Sequence, residues 1–172
     1  ICPILLFDLF VLRTKGKKLN FDFTSRPLGT YLLIFPMMIG MMFIAEFVTD
    51  LIPTTGRFFG PMYHSFLNQM NSISANNVAM IVMTSLLAPI LEEILFRGII
   101  LKGMLNKGVN PKKAIFISAF IFGAIHGYPW QFVGALLLGL VLGLVYYKTK
   151  SLLLPILLHA FNNFVACSMI IN

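Results

Sequence analysis

Two adjacent glutamates and an arginine lie inside an apolar segment of this 172-residue chain. They are Glu92, Glu93 and Arg97, and the apolar segment runs from Val78 to Leu101. A charged side chain within a membrane segment costs roughly 2.5–3.5 kcal/mol, so three of them require mutual compensation or a function. Glu93 and Arg97 are four residues apart, which puts them on one helical face in the order that favours an ion pair. Glu92 is rotated by about 100° from Glu93 and keeps a carboxylate available for chemistry.

Two histidines and an asparagine on other apolar segments extend this set of polar residues. His126 ends one segment, and His159 and Asn163 lie four residues apart on one face of the last. Counting helical rise from the basic loops places Glu92 and His159 about 13–15 Å into the membrane, and His126 about 20 Å. We therefore expect these side chains to meet near the middle of the bilayer, around one cavity.

The composition predicts the elements that position these residues. The chain is 58% hydrophobic and 11% charged, with a mean hydropathy of +0.88, which is too apolar for a soluble domain of this size. We predict an all-α protein, a polytopic transmembrane helical bundle of about five or six spans with the active site inside the membrane. The apolar segments that form these spans are 1–12, 29–51, 78–101, 114–126, 131–147 and 152–171.

The remaining segments are polar or basic. We interpret 54–77 as a loop with a short interfacial helix around 66–70. Glu46 and Asp50 are interpreted as residues at the outer boundary of their span. The chain begins in an apolar run without a methionine, so we expect a truncated N-terminal part with a missing span.

The positive charge is distributed as expected for membrane topology. The loops at 13–27, 102–113 and 148–150 hold five, four and two of the thirteen lysines and arginines. Cytoplasmic loops collect such residues, so we predict that all three face the cytoplasm of a multi-pass protein. A bacterial plasma membrane is favoured. A nucleic-acid partner is not expected, because the basic residues are not gathered on one folded face.

Three ordered motifs each lie on a separate predicted helix. They are Glu92-Glu93-x-x-x-Arg97, Phe122-x-x-x-His126 and His159-x-x-x-Asn163. Their order and spacing resemble the signature of the CAAX protease and bacteriocin-processing family, which comprises intramembrane glutamate proteases related to the eukaryotic CAAX-processing endopeptidase. The resemblance covers about 77–172, which we interpret as a catalytic transmembrane core, and leaves 1–76 as N-terminal spans and loops.

The resemblance implies an intramembrane endopeptidase that hydrolyses a peptide bond of a membrane-associated or lipidated protein or peptide. Glu92 would be the general base, and His126 would help to bind and orient the attacking water. His159 and Asn163 would form the oxyanion hole, where each donor is worth about 3 kcal/mol in known proteases. The partners would be membrane lipid and a peptide or membrane-anchored protein substrate.

Glu93 and Arg97 would give structural support by holding their helix in register. The mechanism implied by the resemblance uses no cofactor. Zinc is the alternative, because Glu92, His126 and His159 are three possible ligands, although the chain has no HExxH motif.

Other functions and simpler roles stay open. The protein could be a non-catalytic bacteriocin immunity factor or membrane scaffold, or a transporter, although no internal repeat supports the latter. Glu92 could share Arg97 with its neighbour, and His126 could be an interfacial histidine. His159 and Asn163 could simply link helices by hydrogen bonds.

Overall fold

Six helices make up the part of the chain that the computed structural model describes, residues 20–171. They are α1 (Leu28–Asp50), α2 (Gly56–Ser74), α3 (Asn77–Asn106), α4 (Pro111–Ala124), α5 (Pro129–Thr149) and α6 (Leu153–Ile171). No strand occurs within these described residues. The predicted all-α class is confirmed.

Four of the helices, α1, α3, α5 and α6, are long and apolar enough to cross a membrane. The segment predicted at 114–126 corresponds to α4, which has 14 residues and a length of about 21 Å, less than the ~30 Å of a hydrocarbon layer. The segment predicted at 1–12 lies outside the described residues. The architecture is thus a transmembrane helical bundle with roughly the expected number of spans, whereas the division at residue 76 stays a prediction.

Helix α2 replaces most of the loop predicted at 54–77. Its aromatic residues Phe59, Tyr63 and Phe66 are spaced by four and three positions, so they fall on one helical face. Their ring centroids lie 6.3, 5.0 and 6.0 Å from that of Trp130, at the start of α5. The helix is therefore stabilised by packing on α5. Its glycines and Pro61 favour a loop when the sequence is considered locally, so this contact is not predicted.

Helix α3 carries the charged motif and is irregular on both sides of it. Its first turn is capped by Asn76, whose side chain accepts a hydrogen bond from the backbone N–H of Ala79. Two stretches, Val82–Leu87 and Ile94–Leu101, are π-helical, and the regular segment Ala88–Glu93 lies between them. Such turns are rare in helices and concentrate at functional sites, because they free backbone groups.

The packing of α4 against α5 depends on two glycines. A Cβ added at Gly139 would lie 3.0 Å from the backbone Cα of Ala119, and one added at Gly143 would lie 3.0 Å from Ile115. The spacing Gly139-x-x-x-Gly143 is typical of close helix packing, and both glycines contact α4 here. At Gly134 a Cβ would meet nothing within 4 Å, because this glycine faces a cavity.

The segment 20–27 lies across the end of α5 that carries basic residues. The guanidinium of Arg26 donates two hydrogen bonds to the carbonyl of Thr149, at 2.6 and 3.0 Å. It also forms an ion pair with Asp22 at 3.1 Å. Hydrogen bonds from the hydroxyl and backbone N–H of Thr24, with the charge of Arg26, lower the pKa of Asp22. This segment therefore covers that end of the bundle.

The two kinds of glycine on α5 allow a matched test. We expect Gly139→Ala to destabilise the protein by about 1–3 kcal/mol, because the new methyl group meets the backbone of α4. Gly134→Ala makes the same chemical change in open space and should leave stability unchanged or slightly higher. Thermal unfolding of the purified variants in detergent measures both. Equal midpoints would contradict the packing described for Gly139.

Candidate active site

A cavity of about 830 Å³ lies inside the bundle and contacts all of its long helices. Its lining includes every side chain to which a catalytic role is predicted, namely Glu92, His126, His159 and Asn163. Glu93 and Arg97 lie behind its wall, with no exposed surface. The structure thus brings together four residues from three different helical segments and separates them from the two predicted to be structural.

Behind the cavity, Glu93 binds two partners with a single oxygen. Its Oε1 accepts a hydrogen bond from Nη1 of Arg97 at 2.7 Å and another from Nδ1 of His159 at 2.9 Å. Arg97 also donates from Nη2 to the carbonyl of Gly139 at 3.0 Å. The predicted ion pair is present, and it additionally joins α3 to α5 and α6. Spacing gave no signal for the contact with His159, which is 66 residues away in sequence.

An aromatic ring shields this buried cluster. The guanidinium carbon of Arg97 lies 5.0 Å from the ring centroid of Phe122, a cation–π contact. The same ring packs edge-on against Phe96, His126 and His159, with centroid distances of 5.0, 5.0 and 5.5 Å. Phe122 belongs to the same motif as His126. It touches both histidines and the arginine, so its position affects the whole site.

His159 connects the buried cluster to the cavity. Because a carboxylate only accepts hydrogen bonds, Nδ1 of His159 must carry the proton that it shares with Glu93. The other ring nitrogen, Nε2, lies 3.7 Å from Oε2 of Glu92. When the ring is neutral, Nε2 therefore presents a lone pair, and it can donate only when the ring carries both protons.

His126 follows the last turn of α4 and is oriented by a backbone carbonyl. Its Nδ1 lies 2.8 Å from the carbonyl oxygen of Phe122 and must be the donor, since a carbonyl only accepts. The Nε2 of a neutral His126 then presents a lone pair. The nitrogen that is not bound to the backbone can thus accept a hydrogen bond from a water.

Asn163 is held by a carbonyl that the irregular part of α3 leaves without a helical partner. The N–H of Ala88 bonds to the carbonyl of Met83, five residues earlier. The matching donor for the carbonyl of Thr84 would be residue 89, which is a proline and has no N–H. That carbonyl instead accepts a hydrogen bond from Nδ2 of Asn163 at 2.8 Å. One amide hydrogen of Asn163 stays available for a ligand.

Glu92 differs from its neighbour in exposure. Its side chain is 29% exposed, compared with 0% for Glu93. Arg97 is bound to Glu93 and to the carbonyl of Gly139, and no ion pair joins it to Glu92 among the described residues. The carboxylate of Glu92 therefore faces the cavity, as its helical position predicts.

Zinc was the alternative for Glu92, His126 and His159. Among residues 20–171, no group of three His, Cys, Asp or Glu side chains has the arrangement needed to hold a metal ion. As placed here, these three residues do not form a ready ligand set. Sensitivity to a chelator distinguishes the metal-free reaction from the zinc alternative.

Comparison with known proteins identifies the family. The model for the Rce1-like type II CAAX prenyl endopeptidases matches residues 74–165, which is more than half of the chain. The chain belongs to this family. The match includes all three motifs and ends two residues after Asn163, in agreement with the resemblance seen in the sequence. No solved structure gives a significant match.

Two curated relatives of this Rce1-like chain are bacterial. The UPF0177 protein YaiF of Lactococcus lactis is 35% identical over 137 residues, which cover 77% of this chain and 60% of the relative. A Bacillus subtilis protein named "Putative membrane peptidase YdiL" is 37% identical over 84 residues, which cover 49% of this chain and 34% of the relative. The chain therefore spans about 60% or less of the length of these relatives.

The two adjacent glutamates of this Rce1-like site should respond differently to the same substitution. Glu93→Gln leaves the buried charge of Arg97 uncompensated, and we expect a loss of about 3–5 kcal/mol in the free energy of unfolding. Glu92→Gln changes a partly exposed side chain outside that cluster and should cost much less. Thermal unfolding in detergent, with the two variants side by side, measures the difference. A similar loss of stability for both variants would contradict the assignment of Glu93 to the buried cluster and of Glu92 to the cavity.

Proposed function

We propose that the protein is an intramembrane endopeptidase that hydrolyses a peptide bond of a membrane-associated or lipidated protein or peptide. Glu92 is its general base and uses a water as the nucleophile. The observation that carries this proposal is the shared cavity, in which Glu92, two histidines and an asparagine face one space inside an apolar bundle. Membership of the Rce1-like family supports the class of reaction.

Water activation is assigned to Glu92 and His126. The carboxylate of Glu92 accepts a proton from the water, whose oxygen then attacks the carbonyl carbon of the scissile peptide bond. His126 accepts a hydrogen bond from the same water at Nε2, the nitrogen that its contact with Phe122 leaves unprotonated. Together, the two groups hold the water and direct its lone pair at the substrate.

The tetrahedral intermediate is stabilised by Asn163 and His159. Asn163 donates the amide hydrogen that is not used by Thr84. His159 donates from Nε2 when both ring nitrogens are protonated. The carboxylate of Glu93, bound at Nδ1, stabilises the positive charge of that ring. Glu92 then returns its proton to the amide nitrogen, the C–N bond breaks, and the products are a carboxylic acid and an amine.

The distribution of basic residues and the relatives support a proposal for the cellular setting. We place the protein in a bacterial plasma membrane, with the loops at 13–27, 102–113 and 148–150 in the cytoplasm. Both curated relatives come from bacteria, and four helices of the described residues have the length and hydropathy of membrane spans. The peptide bond is therefore cleaved within the bilayer.

Cleavage of a peptide library by protein reconstituted in lipid vesicles tests the assignment of the base. We expect Glu92→Gln to lower kcat by at least about 10²-fold, since a positioned general base contributes 10²–10⁴-fold. Asp50→Asn makes the corresponding change at an exposed acid outside the cavity and should retain activity. Equal cleavage by wild type and Glu92→Gln would remove Glu92 as the base.

A chelator separates the metal-free mechanism from the zinc alternative. We expect activity to survive chelation, whereas loss that zinc restores would assign Glu92, His126 and His159 to a metal site. Absence of cleavage by the wild type across the library would favour the alternative of a non-catalytic immunity or scaffold protein. Each result thus selects a different class of function.

Pro89 provides a test of how Asn163 is positioned. Pro89→Ala restores an N–H that can bond to the carbonyl of Thr84 and compete with Asn163. We expect kcat to fall by up to about 10²-fold, the scale for one oxyanion donor, with little change in KM. Pro36→Ala is the control, because it removes an exposed proline from inside α1, away from the cavity. An unchanged kcat for Pro89→Ala would exclude this positioning role.

A further inference from the structure

The cavity continues beyond the catalytic residues to a part of the chain outside the family match. Helix α1 lines it with several residues between Ile39 and Thr49, and α2 lines it with Met70 and Ile73. The matched region begins only at residue 74. This side of the cavity therefore lies outside the region that carries the catalytic motifs, and it is available to recognise a substrate.

The lining carries two carboxylates, Glu46 and Glu92, and no lysine or arginine. Its histidines, His126 and His159, lie with Glu92 at the catalytic residues. Most of the remaining lining is apolar, including five methionines. A carboxylate beside such a lining attracts a cation. The substrate group that best complements Glu46 is therefore positively charged.

Comparison with Asp50 shows that a position near the end of α1 does not by itself place an acid in the cavity lining. Both acids were interpreted as boundary residues of α1, and they lie four residues apart on it. Both side chains are exposed, but Glu46 lines the cavity and Asp50 contributes nothing to it. Within residues 20–171, the arginines that form ion pairs contact Asp22 and Glu93 rather than Glu46.

We propose that Glu46 is a substrate-binding residue that recognises a cationic group of the peptide, either a lysine or arginine side chain or a free amino terminus. This inference rests on the proposed peptidase function and adds a specificity to it. The cavity of about 830 Å³ is within the range of about 300–1,000 Å³ found for ligand sites. It can therefore hold residues beside the scissile bond as well as the bond itself. Glu46 binds the cation while Glu92 acts on the peptide bond.

A binding experiment tests the proposal without relying on cleavage. The probes are two series of fluorescent peptides made of alanine and leucine. In the first series a single arginine is placed at successive positions, and in the second series glutamine replaces that arginine. Binding is measured by anisotropy to vesicle-reconstituted Glu92→Gln protein, which cannot turn the probe over. We expect one register to bind about tenfold tighter with arginine than with glutamine, the scale of one charge-assisted hydrogen bond. Adding Glu46→Gln should abolish that preference, and adding Asp50→Asn should retain it.

Charge reversal gives the second arm. Glu46→Arg should bind the peptide with glutamate at the same register better than the peptide with arginine. In cleavage assays of the otherwise wild-type protein, the effect of Glu46→Gln on the arginine peptide should fall on KM, because it removes binding rather than chemistry. A free amino terminus as the cation is identified by loss of binding on acetylation of the peptide.

The outcomes separate this proposal from the proposed function. An arginine preference or an acetylation effect that persists in Glu46→Gln overturns the role of Glu46, and so does the absence of both in the protein that retains Glu46. Preference that depends on Glu46, together with no cleavage by the wild type, leaves Glu46 as a cation-binding residue and removes the peptidase assignment.

Discussion

The buried pair of Glu93 and Arg97 is the constraint on which the rest of the structure depends. Two charges with no exposed surface are tolerated inside an apolar bundle only when each is bound by its partner and by further polar groups. Those further groups are Nδ1 of His159 and the carbonyl of Gly139. The pair therefore fixes α3 against α5 and α6, and the same contacts orient the histidine that faces the cavity.

The irregular backbone of α3 also joins this helix to its neighbours. A carbonyl released by a π-helical turn would be costly in an apolar setting unless another donor bound it. Asn163 binds the carbonyl of Thr84, and the hydroxyl of Ser118 binds that of Phe96 at 3.0 Å. Both carbonyls thus join α3 to a neighbouring helix.

Sequence patterns predicted the parts of this protein that depend on local spacing. The apolar segments, the ion pair of Glu93 with Arg97 and the glycine contact at Gly139 follow from helical periodicity and residue size. The link from Glu93 to His159 does not, because it joins residues far apart in sequence that meet only in the folded bundle. Most of helix α2, beyond the short helix predicted around 66–70, was missed for a similar reason, since its aromatic face is stabilised by Trp130 on another helix. The roles of the cavity residues stay predictions, because geometry alone shows proximity and not reaction.

The adjacent glutamates show how one dipeptide can supply two unlike functions. A rotation of about 100° along the helix separates a side chain whose Oε1 binds Arg97 and His159 from one that is open to the cavity. His159 then contacts both, with Nδ1 on Glu93 and Nε2 facing Glu92. If α6 moved away from α3, the buried carboxylate would lose a partner at the same moment as the cavity lost its histidine. Because the buried pair resists that separation, the contacts that hold the helices together also hold the candidate site together.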